Sequence, residues 1–320
     1  MKLYEHPEFA DAIKAAKQHF AHPGLTEQFI EKDYYVTEAL RIVAQNYPNE
    51  VIFKGGTSLS KGWKLIERFS EDIDLFLNPQ SFNPSLSKNS IDKHLKNIET
   101  LVNGHPGFTL DNTRGNSGKG THRHSFFNYK PQFLGNKPIA NNVYLEMGIR
   151  SGNYPVEEIS ISSYLADFLK ETGISLGTDD ESAFPMKLLH FRRTFVEKLF
   201  AIHSRVLLLK EEKQPIGTHA RHYYDLYCLA QRQEVQEMLN TEEYNNIKKD
   251  CNDIGQQHFN NYQPPENLSF SKSIAIFPTG DLRQLIVATC NTNRSNLQSR
   301  DFQTRINCNY NYALARINCN

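Results

Sequence analysis

The stretch Phe53–Phe76, FKGGTSLSKGWKLIERFSEDIDLF, constrains what this chain can fold into more than any other part of it. A short apolar strand pattern ends at a Gly-Gly-Thr-Ser sequence, residues 55–58, and a helical pattern follows. Asp72 and Asp74, separated by one isoleucine, lie at the start of a second strand pattern at 73–77. Glycines let backbone amides approach an anion, and the first amides of a helix attract phosphate. The order of strand, turn, helix and strand therefore predicts a cradle for a polyphosphate.

The two aspartates are predicted to share one face of their strand, because successive side chains point to opposite faces. Neighbouring carboxylates repel each other unless a cation lies between them, and Mg²⁺ or Mn²⁺ is bound by a few carboxylates together with phosphate oxygens and water. An isolated Asp-x-Asp is also explained by a capping Asp72 and a solvated Asp74. The glycine turn just upstream favours a metal and triphosphate site instead. The Walker P-loop pattern and the dinucleotide-binding pattern GxGxxG are both absent.

Composition excludes several classes of protein. The 36 basic and 36 acidic residues cancel, so any surface for a polyanion must be local. Five cysteines without CxxC spacing indicate neither a disulfide framework nor a zinc site, and a reducing cytoplasm is the expected location. The first residues lack the apolar core of a signal peptide, and no apolar run reaches the roughly 18 residues of a membrane span.

The periodicity of apolar residues predicts an α+β protein in three parts. Residues 1–175 combine two N-terminal helices with several short strands. Residues 176–290 carry long helical patterns and are predicted to form a helical domain. Residues 291–320 are rich in Asn and repeat the string RINCN, which is typical of a low-complexity tail.

Two long helices follow from the same patterns. TSLSKGWKLIERF predicts one continuous helix over residues 57–69, with Leu59, Trp63 and Ile66 on one buried side. PMKLLHFRRTFVEKLFAIHSRVLLL predicts a second continuous helix over residues 185–209.

The opening stretch resembles the glycine-hydroxyl motif followed by Asp-x-Asp of the DNA polymerase β-like nucleotidyltransferase superfamily. Within it, the fuller string resembles the AbiEii/AbiGii (MenT-like) toxins of type IV toxin–antitoxin systems. The similarity continues in VYLEMGIR at 143–150, RTFVEKLFAIHSR at 193–205 and RHYYDLY at 221–227, and covers about residues 25–230. It implies a polymerase β-like core, with a mixed sheet flanked by helices, followed by a helical C-terminal domain. It also implies metal-dependent transfer of a nucleoside monophosphate from an NTP, with release of pyrophosphate.

The resemblance assigns roles to individual residues. It implies that Asp72, Asp74 and Glu146 hold Mg²⁺ or Mn²⁺, that Lys198 meets the triphosphate and that Asp225 is a second acid needed for catalysis. The predicted nucleotide-binding residues, with two nearby cations added as candidate phosphate contacts, are Gly55, Gly56, Thr57, Ser58, Lys61 and Arg68. From the residues alone, Lys198 is equally well explained as a solvated helix lysine, and Asp225 as part of a structural salt bridge.

The segment 112–130 bears on the acceptor of the transferred nucleotide. It contains basic residues and no acid, with Phe126, Phe127 and Tyr129 interleaved. Such a composition suits single-stranded RNA, through phosphate contacts and base stacking. A basic hairpin whose aromatic rings face the core explains it equally well. The resemblance implies an RNA acceptor, expected to be the tRNA 3′ end, inhibition of translation in phage abortive infection, and a cognate AbiEi-like antitoxin as partner.

Two other functions are consistent with this sequence. In the first, the enzyme transfers the nucleotide to a protein hydroxyl or to a small molecule such as an antibiotic. In the second, the fold only binds RNA or a partner protein. Loss of a carboxylate is typical of such non-catalytic proteins, and both Asp72 and Asp74 are present.

Overall fold

The protein divides into two compact units, seen in a computed structural model that describes residues 1–22, 24–68, 70, 72–135 and 139–292. The first unit comprises the described residues within 1–63 and 70–188, and the second comprises the described residues within 64–69 and 189–320. The boundary expected after residue 175 lies upstream of this division. The predicted tail at 291–320 lies outside the described residues, apart from 291–292 at the end of a helix.

The first unit is built on one mixed sheet, which confirms the predicted fold class. Its strand order is β3-β5-β6-β2-β1-β8-β7, and β4 also pairs with β5. Strand β2 is parallel to β6 and antiparallel to β1, β5 is antiparallel to β6, and β1 is parallel to β8. The strands are β1 (Val51–Lys54), β2 (Asp72–Leu77), β3 (Thr109–Leu110), β4 (Asn116–Gly118), β5 (His122–Asn128), β6 (Asn142–Gly148), β7 (Val156–Ile161) and β8 (Phe184–Leu189).

One face of this sheet forms the core together with the helices of the first unit. Ile73 on β2 and Leu145 on β6 are fully buried on that face, whereas Asp72 and Asp74 alternate onto the other. The Thr26 side chain accepts a hydrogen bond of 3.1 Å from the Phe29 amide and caps the helix that begins at Glu27. The longer helices are α1 (Phe9–Phe20), α2 (Glu27–Asn46), α4 (Lys88–Asn103) and α5 (Tyr164–Thr172).

The continuous helix predicted for residues 57–69 is wrong. A short α-helical turn, α3 (Gly55–Thr57), runs into a π-helical turn (Ser58–Gly62), and the helical path ends where Lys64 has a φ of 54°. Residues 64–69 then belong to the second unit. Leu59 and Ile66 are both buried, but in different units. Their helical spacing therefore does not reflect one buried stripe.

The helix predicted to begin at residue 185 is also wrong over its first residues. Residues Phe184–Leu189 form strand β8, and the helix begins at Phe191. Phe184, Met186 and Leu188 are buried while Pro185 is exposed, which is the alternation of a strand. The alternation was present in the sequence, but the long helical pattern after it obscured it.

The second unit is helical, as expected. Its helices are α6 (Phe191–Glu212), α7 (Arg221–Ala230), α8 (Gln233–Met238), α9 (Glu242–His258) and α10 (Gly280–Thr292). Helix α6 buries Phe195, Leu199 and Ile202, and α7 buries Tyr223 and Leu226. Among the helices that the structure describes, none is both long and apolar enough to cross a membrane.

Candidate active site

The glycine turn and the acid pair lie in direct contact in the first unit. Gly55 has a φ of 76°, in the left-handed region that favours glycine. A Cβ atom placed on Gly55 would lie 1.9 Å from Oδ2 of Asp74 and 2.7 Å from its Cγ. The Asp74 carboxylate therefore packs against the backbone of the turn, which leaves no room for a side chain there.

The hydroxyl groups of the turn stabilise its conformation. The Thr57 hydroxyl donates to the backbone oxygen of Asp72 at 2.6 Å, and a second hydrogen bond of 3.0 Å joins it to the Ser70 hydroxyl. The Ser58 hydroxyl donates to the backbone oxygen of Gly55 at 3.0 Å. Both side chains are buried, with exposures of 2% and 0%. Thr57 and Ser58 thus hold the turn against β2, and neither hydroxyl points to solvent where a phosphate would meet it.

Strands β6 and β5 extend the polar face that carries the acids. Glu146 is aligned with Asp74 on one side and with His124 on the other, and Tyr144 is aligned with Asp72. A hydrogen bond of 3.0 Å joins the Tyr144 hydroxyl to Nδ1 of His124, whose Nε2 lies 3.8 Å from Oε1 of Glu146. These five side chains form one polar cluster on the sheet.

The charges of this cluster are coupled. Burial raises the pKa of Tyr144, and the nearby carboxylates of Glu146, Asp72 and Asp74 raise it further. Burial lowers the pKa of His124, although Asp74 opposes that shift. Negative charge therefore dominates the cluster, and a cation would relieve the repulsion among its carboxylates.

The acids are arranged as a pair with a neighbour. Within the described residues, no three histidine, cysteine, aspartate or glutamate side chains are gathered closely enough to form a metal site by themselves. Asp72 and Asp74 nevertheless fit Mg²⁺ or Mn²⁺, because Mg²⁺ is usually held by one or two carboxylates with substrate phosphates and water completing its shell. The Glu146 side chain is 47% exposed beside them.

Lys61 is held in an ion pair within the first unit. Its Nζ lies 2.6 Å from Oδ1 of Asp33, and both side chains are largely buried. The other oxygen of Asp33 accepts a hydrogen bond of 2.9 Å from the backbone amide of Tyr164, the first residue of α5. Lys61 therefore links the helical turn to α2 and α5 through Asp33. This ion pair was not predicted from the sequence, where Lys61 was a candidate phosphate contact.

In the second unit, Asp225 is the centre of a buried ion network. Its two carboxylate oxygens accept hydrogen bonds from Nε and Nη2 of Arg68, at 2.6 and 2.8 Å. The Nζ of Lys198 lies 2.8 Å from Oδ2. Asp225 is fully buried, and Arg68 and Lys198 are 4% and 6% exposed. The structure thus brings together three of the predicted residues and shows that Lys198 is not a solvated surface lysine.

The charge state of this network follows from its contacts. Burial opposes ionisation of Asp225, but Arg68 and Lys198 outweigh it and hold the pKa of that carboxyl well below its usual range. His222 lies 3.2 Å from Nζ of Lys198, and burial together with that cation lowers its pKa to about 3. The network therefore contains two cations, one carboxylate and a neutral imidazole at neutral pH.

Comparison with known proteins decides the family. A family model described as the nucleotidyl transferase AbiEii toxin of type IV toxin–antitoxin systems matches residues 38–287. The chain belongs to the AbiEii family. It is accordingly a nucleotidyltransferase of the toxin–antitoxin type, as the sequence resemblance predicted.

A solved structure shares the fold of this AbiEii-family chain. MenT4, a nucleotidyltransferase toxin from Mycobacterium tuberculosis H37Rv, is similar with a TM-score of 0.51 and 16% identity, over 95% of this chain and 98% of that chain. At this identity the similarity shows the fold alone. No curated protein sequence matches the chain.

Sequence analysis of this AbiEii-family enzyme missed three residues of the polar face. Lys54, at the end of β1, is aligned with Asp74, while His124 and Tyr144 lie on the far side of the acids. Strand alternation alone places each of them on one face or the other. Which strands are neighbours, however, depends on sheet order, and the sequence does not state it.

The segment 112–130 proves to be divided between the two faces. Phe127 and Tyr129 are buried in the core, and Tyr129 stacks on Tyr35 with ring centroids 4.0 Å apart. Phe126 is half-buried on the polar face, where it stacks on Tyr144. The interpretation that the aromatic rings face the core therefore holds for Phe127 and Tyr129, whereas RNA binding at Phe126 stays a prediction.

Proposed function

We propose that this enzyme transfers a nucleoside monophosphate from an NTP to an RNA acceptor, expected to be the tRNA 3′ end, and thereby inhibits translation. In this proposal it acts in phage abortive infection, and a cognate AbiEi-like antitoxin controls it. The contact between Gly55 and Asp74 carries the proposal. In this contact the carboxylate proposed to bind the divalent cation lies directly against the turn proposed to bind phosphate.

The first unit supplies the residues proposed to bind the triphosphate and its metal. Asp72 and Asp74 would hold Mg²⁺ or Mn²⁺, and Glu146, which is aligned with Asp74 and exposed, would become a third ligand by turning its side chain toward them. When bound, such a cation makes an acceptor hydroxyl a better nucleophile and stabilises the charge of the leaving pyrophosphate. The backbone amides of Gly55 and Gly56 would bind the phosphate oxygens, since glycine has no Cβ of its own to keep a phosphate away from the backbone.

Lys198 and Asp225 have different proposed roles. We retain Lys198 as the residue that meets the triphosphate, which is the role that the resemblance implies. Asp225 is fully buried and bonded to Lys198 and Arg68, so we propose that it positions these cations and does not touch the substrate. A positioned cation needs no reorganisation when negative charge develops on the phosphates.

The decisive experiment identifies the acceptor and the nucleotide together. Purified protein is incubated with total bacterial RNA and each α-labelled NTP in turn, and the products are separated by size. We expect label in one class of small RNA, loss of labelling with EDTA and its return with excess Mg²⁺ or Mn²⁺. Label in protein, or in a small molecule, would mean that the acceptor is of another class.

A matched pair of variants tests the catalytic assignment. Asp74→Asn should abolish labelling, because it removes one negative charge from the acid pair while keeping the side-chain volume. Asp11→Asn makes the same change at an exposed position on α1 and should label RNA like the wild type. Equal labelling by both variants would remove Asp74 from the active site.

A further inference from the structure

A row of stacked side chains extends from the acid pair across the sheet. Tyr144 on β6 is aligned with Asp72 on β2, and Phe126 on β5 is aligned with Tyr144. The two rings stack with centroids 4.5 Å apart and an interplanar angle of 18°. The guanidinium carbon of Arg114 lies 3.8 Å from the centroid of Phe126. We call these residues the Arg114–Phe126–Tyr144 stack.

The stack is accessible from solvent. Arg114 is exposed and the two rings are half-buried, whereas Phe127, the next residue on β5, is fully buried on the core face. An aromatic cross-strand pair stabilises a sheet on its own, without an arginine over the outer ring. A planar guanidinium at an exposed surface is one of the groups on which unpaired RNA bases stack.

Positive charge accompanies the stack. Arg114 carries one charge at its outer end, and Arg150 lies just beyond the end of β6, where its Nη2 is 3.5 Å from the Thr121 hydroxyl. The residues 112–130 contain no acid, although the Asp111 carboxylate just before them offsets part of the Arg114 charge. The positive charges of Arg114 and Arg150 suit the phosphates of a nucleic acid, in a chain whose overall charge balances.

The position of the stack relative to β2 suits an acceptor. Strand β1, which leads into the Gly55 turn, lies on one side of β2, and β6 and β5 lie on the other. In-line transfer requires the attacking hydroxyl and the leaving pyrophosphate to be on opposite sides of the α-phosphorus. A triphosphate bound at the turn would therefore receive its acceptor from the side of β6 and β5. This step depends on the function proposed above.

We infer that the Arg114–Phe126–Tyr144 stack is the acceptor surface of this enzyme and binds the unpaired 3′-terminal bases of RNA. A base stacks on the outer face of the Arg114 guanidinium. Phe126, itself packed on Tyr144, supports the inner face and keeps the plane oriented. The acceptor end is thereby held beside Asp72, on the side from which attack occurs.

Binding to RNA without transfer tests this inference. The fluorescence anisotropy of a labelled single-stranded RNA is measured in Mg²⁺ buffer without NTP, so that the readout does not depend on catalysis. Arg114→Ala and Arg114→Lys should both raise the Kd about 5- to 150-fold, since lysine keeps the charge but has no plane for stacking. Phe126→Leu should also weaken binding, while Phe126→Tyr, which keeps the ring, should bind like the wild type.

Lys96→Ala is the matched control. Lys96 is an exposed cation on α4, the helix that packs against the opposite side of β5 through the contact of Glu99 with Arg123. Its removal should leave the Kd unchanged. In steady state, Arg114→Ala should raise the KM for RNA and leave the KM for NTP unchanged.

Three results would overturn the inference. They are a wild-type Kd for RNA in Arg114→Lys, a wild-type Kd in Phe126→Leu, or a Kd in Lys96→Ala that rises as much as in Arg114→Ala. If the wild-type enzyme labels RNA, none of these three results contradicts the proposed function. If the wild-type enzyme labels no RNA at all, both the proposed function and this inference fail.

Discussion

Replacing Gly55 by alanine tests the contact on which the proposed metal site depends. The new Cβ would lie 1.9 Å from Oδ2 of Asp74 and 3.0 Å from its Cβ. The first distance is shorter than real Cβ atoms show and the second is tighter than most of them, so the Asp74 side chain must leave its position. A single methyl group therefore displaces the carboxylate without changing its charge.

The expected cost has two parts. The left-handed backbone at Gly55, with φ of 76°, costs alanine about 1–2 kcal/mol, and moving Asp74 off its rotamer adds about 0.5–1.5 kcal/mol. The sum lowers the Tm by roughly 3–14 °C for a unit of this size. Displacing a metal ligand removes several kcal/mol of transition-state stabilisation, so kcat/KM should fall at least about 100-fold.

Gly173→Ala separates the backbone effect from the displacement of Asp74. Gly173 has a φ of 70°, and a Cβ there would meet nothing within 4 Å. Gly173→Ala should lower the Tm through the cost of the left-handed backbone alone and leave nucleotide incorporation unchanged. The assay is incorporation of labelled nucleotide into RNA, with thermal unfolding measured in parallel. Incorporation by Gly55→Ala within a few-fold of Gly173→Ala would refute the reasoning.

Three predictions concern the second unit. Asp225→Asn leaves Arg68 and Lys198 buried without a counter-charge and should lower the free energy of unfolding by about 3–5 kcal/mol in urea titrations. Because the folded pKa of Asp225 is depressed, this difference from wild type should shrink as the pH falls below about 4, and a difference that persists there would contradict the assigned charge. Lys198→Ala should lower kcat/KM for NTP, and an unchanged value would exclude triphosphate contact. Because His222 has a pKa of about 3 when folded, the unfolded state binds its proton near pH 6.5 and stability should fall with decreasing pH. His222→Gln should reduce that slope by roughly 1 kcal/mol per pH unit between pH 5.5 and 4, and an equal slope would show that His222 is not responsible.

Local patterns in the sequence were sufficient for the strand and turn at the centre of the site. Alternation along β2 places Ile73 in the core and Asp72 with Asp74 on the other face, whatever the neighbouring strands are. The Gly-Gly pair indicated a turn, and the structure has one there, with Gly55 in the left-handed region. These features depend on residues close together in the chain, so a single sequence contains them.

The two failed helix predictions share one physical cause. Apolar periodicity indicates that residues are buried, but it does not indicate which part of the protein they pack against. Leu59 and Ile66 are buried in different units, and the alternating residues of β8 precede a long helical pattern. Each segment is locally consistent with a helix, and only the assembled sheet and units decide otherwise.

The sequence by itself determined the family, the acid pair and the turn, because each can be identified from short sequence motifs. Only the tertiary structure decided how the charges are paired. Arg68 and Asp225 are 157 positions apart, and Lys61 pairs with Asp33 on another helix. The sequence contains these charged residues but does not show how they pair. The ion pairs form only on folding, because a buried charge is stable only beside a counter-charge. The alignment of Tyr144 and Phe126 beside Asp72 likewise follows from strand order, which only the folded sheet defines.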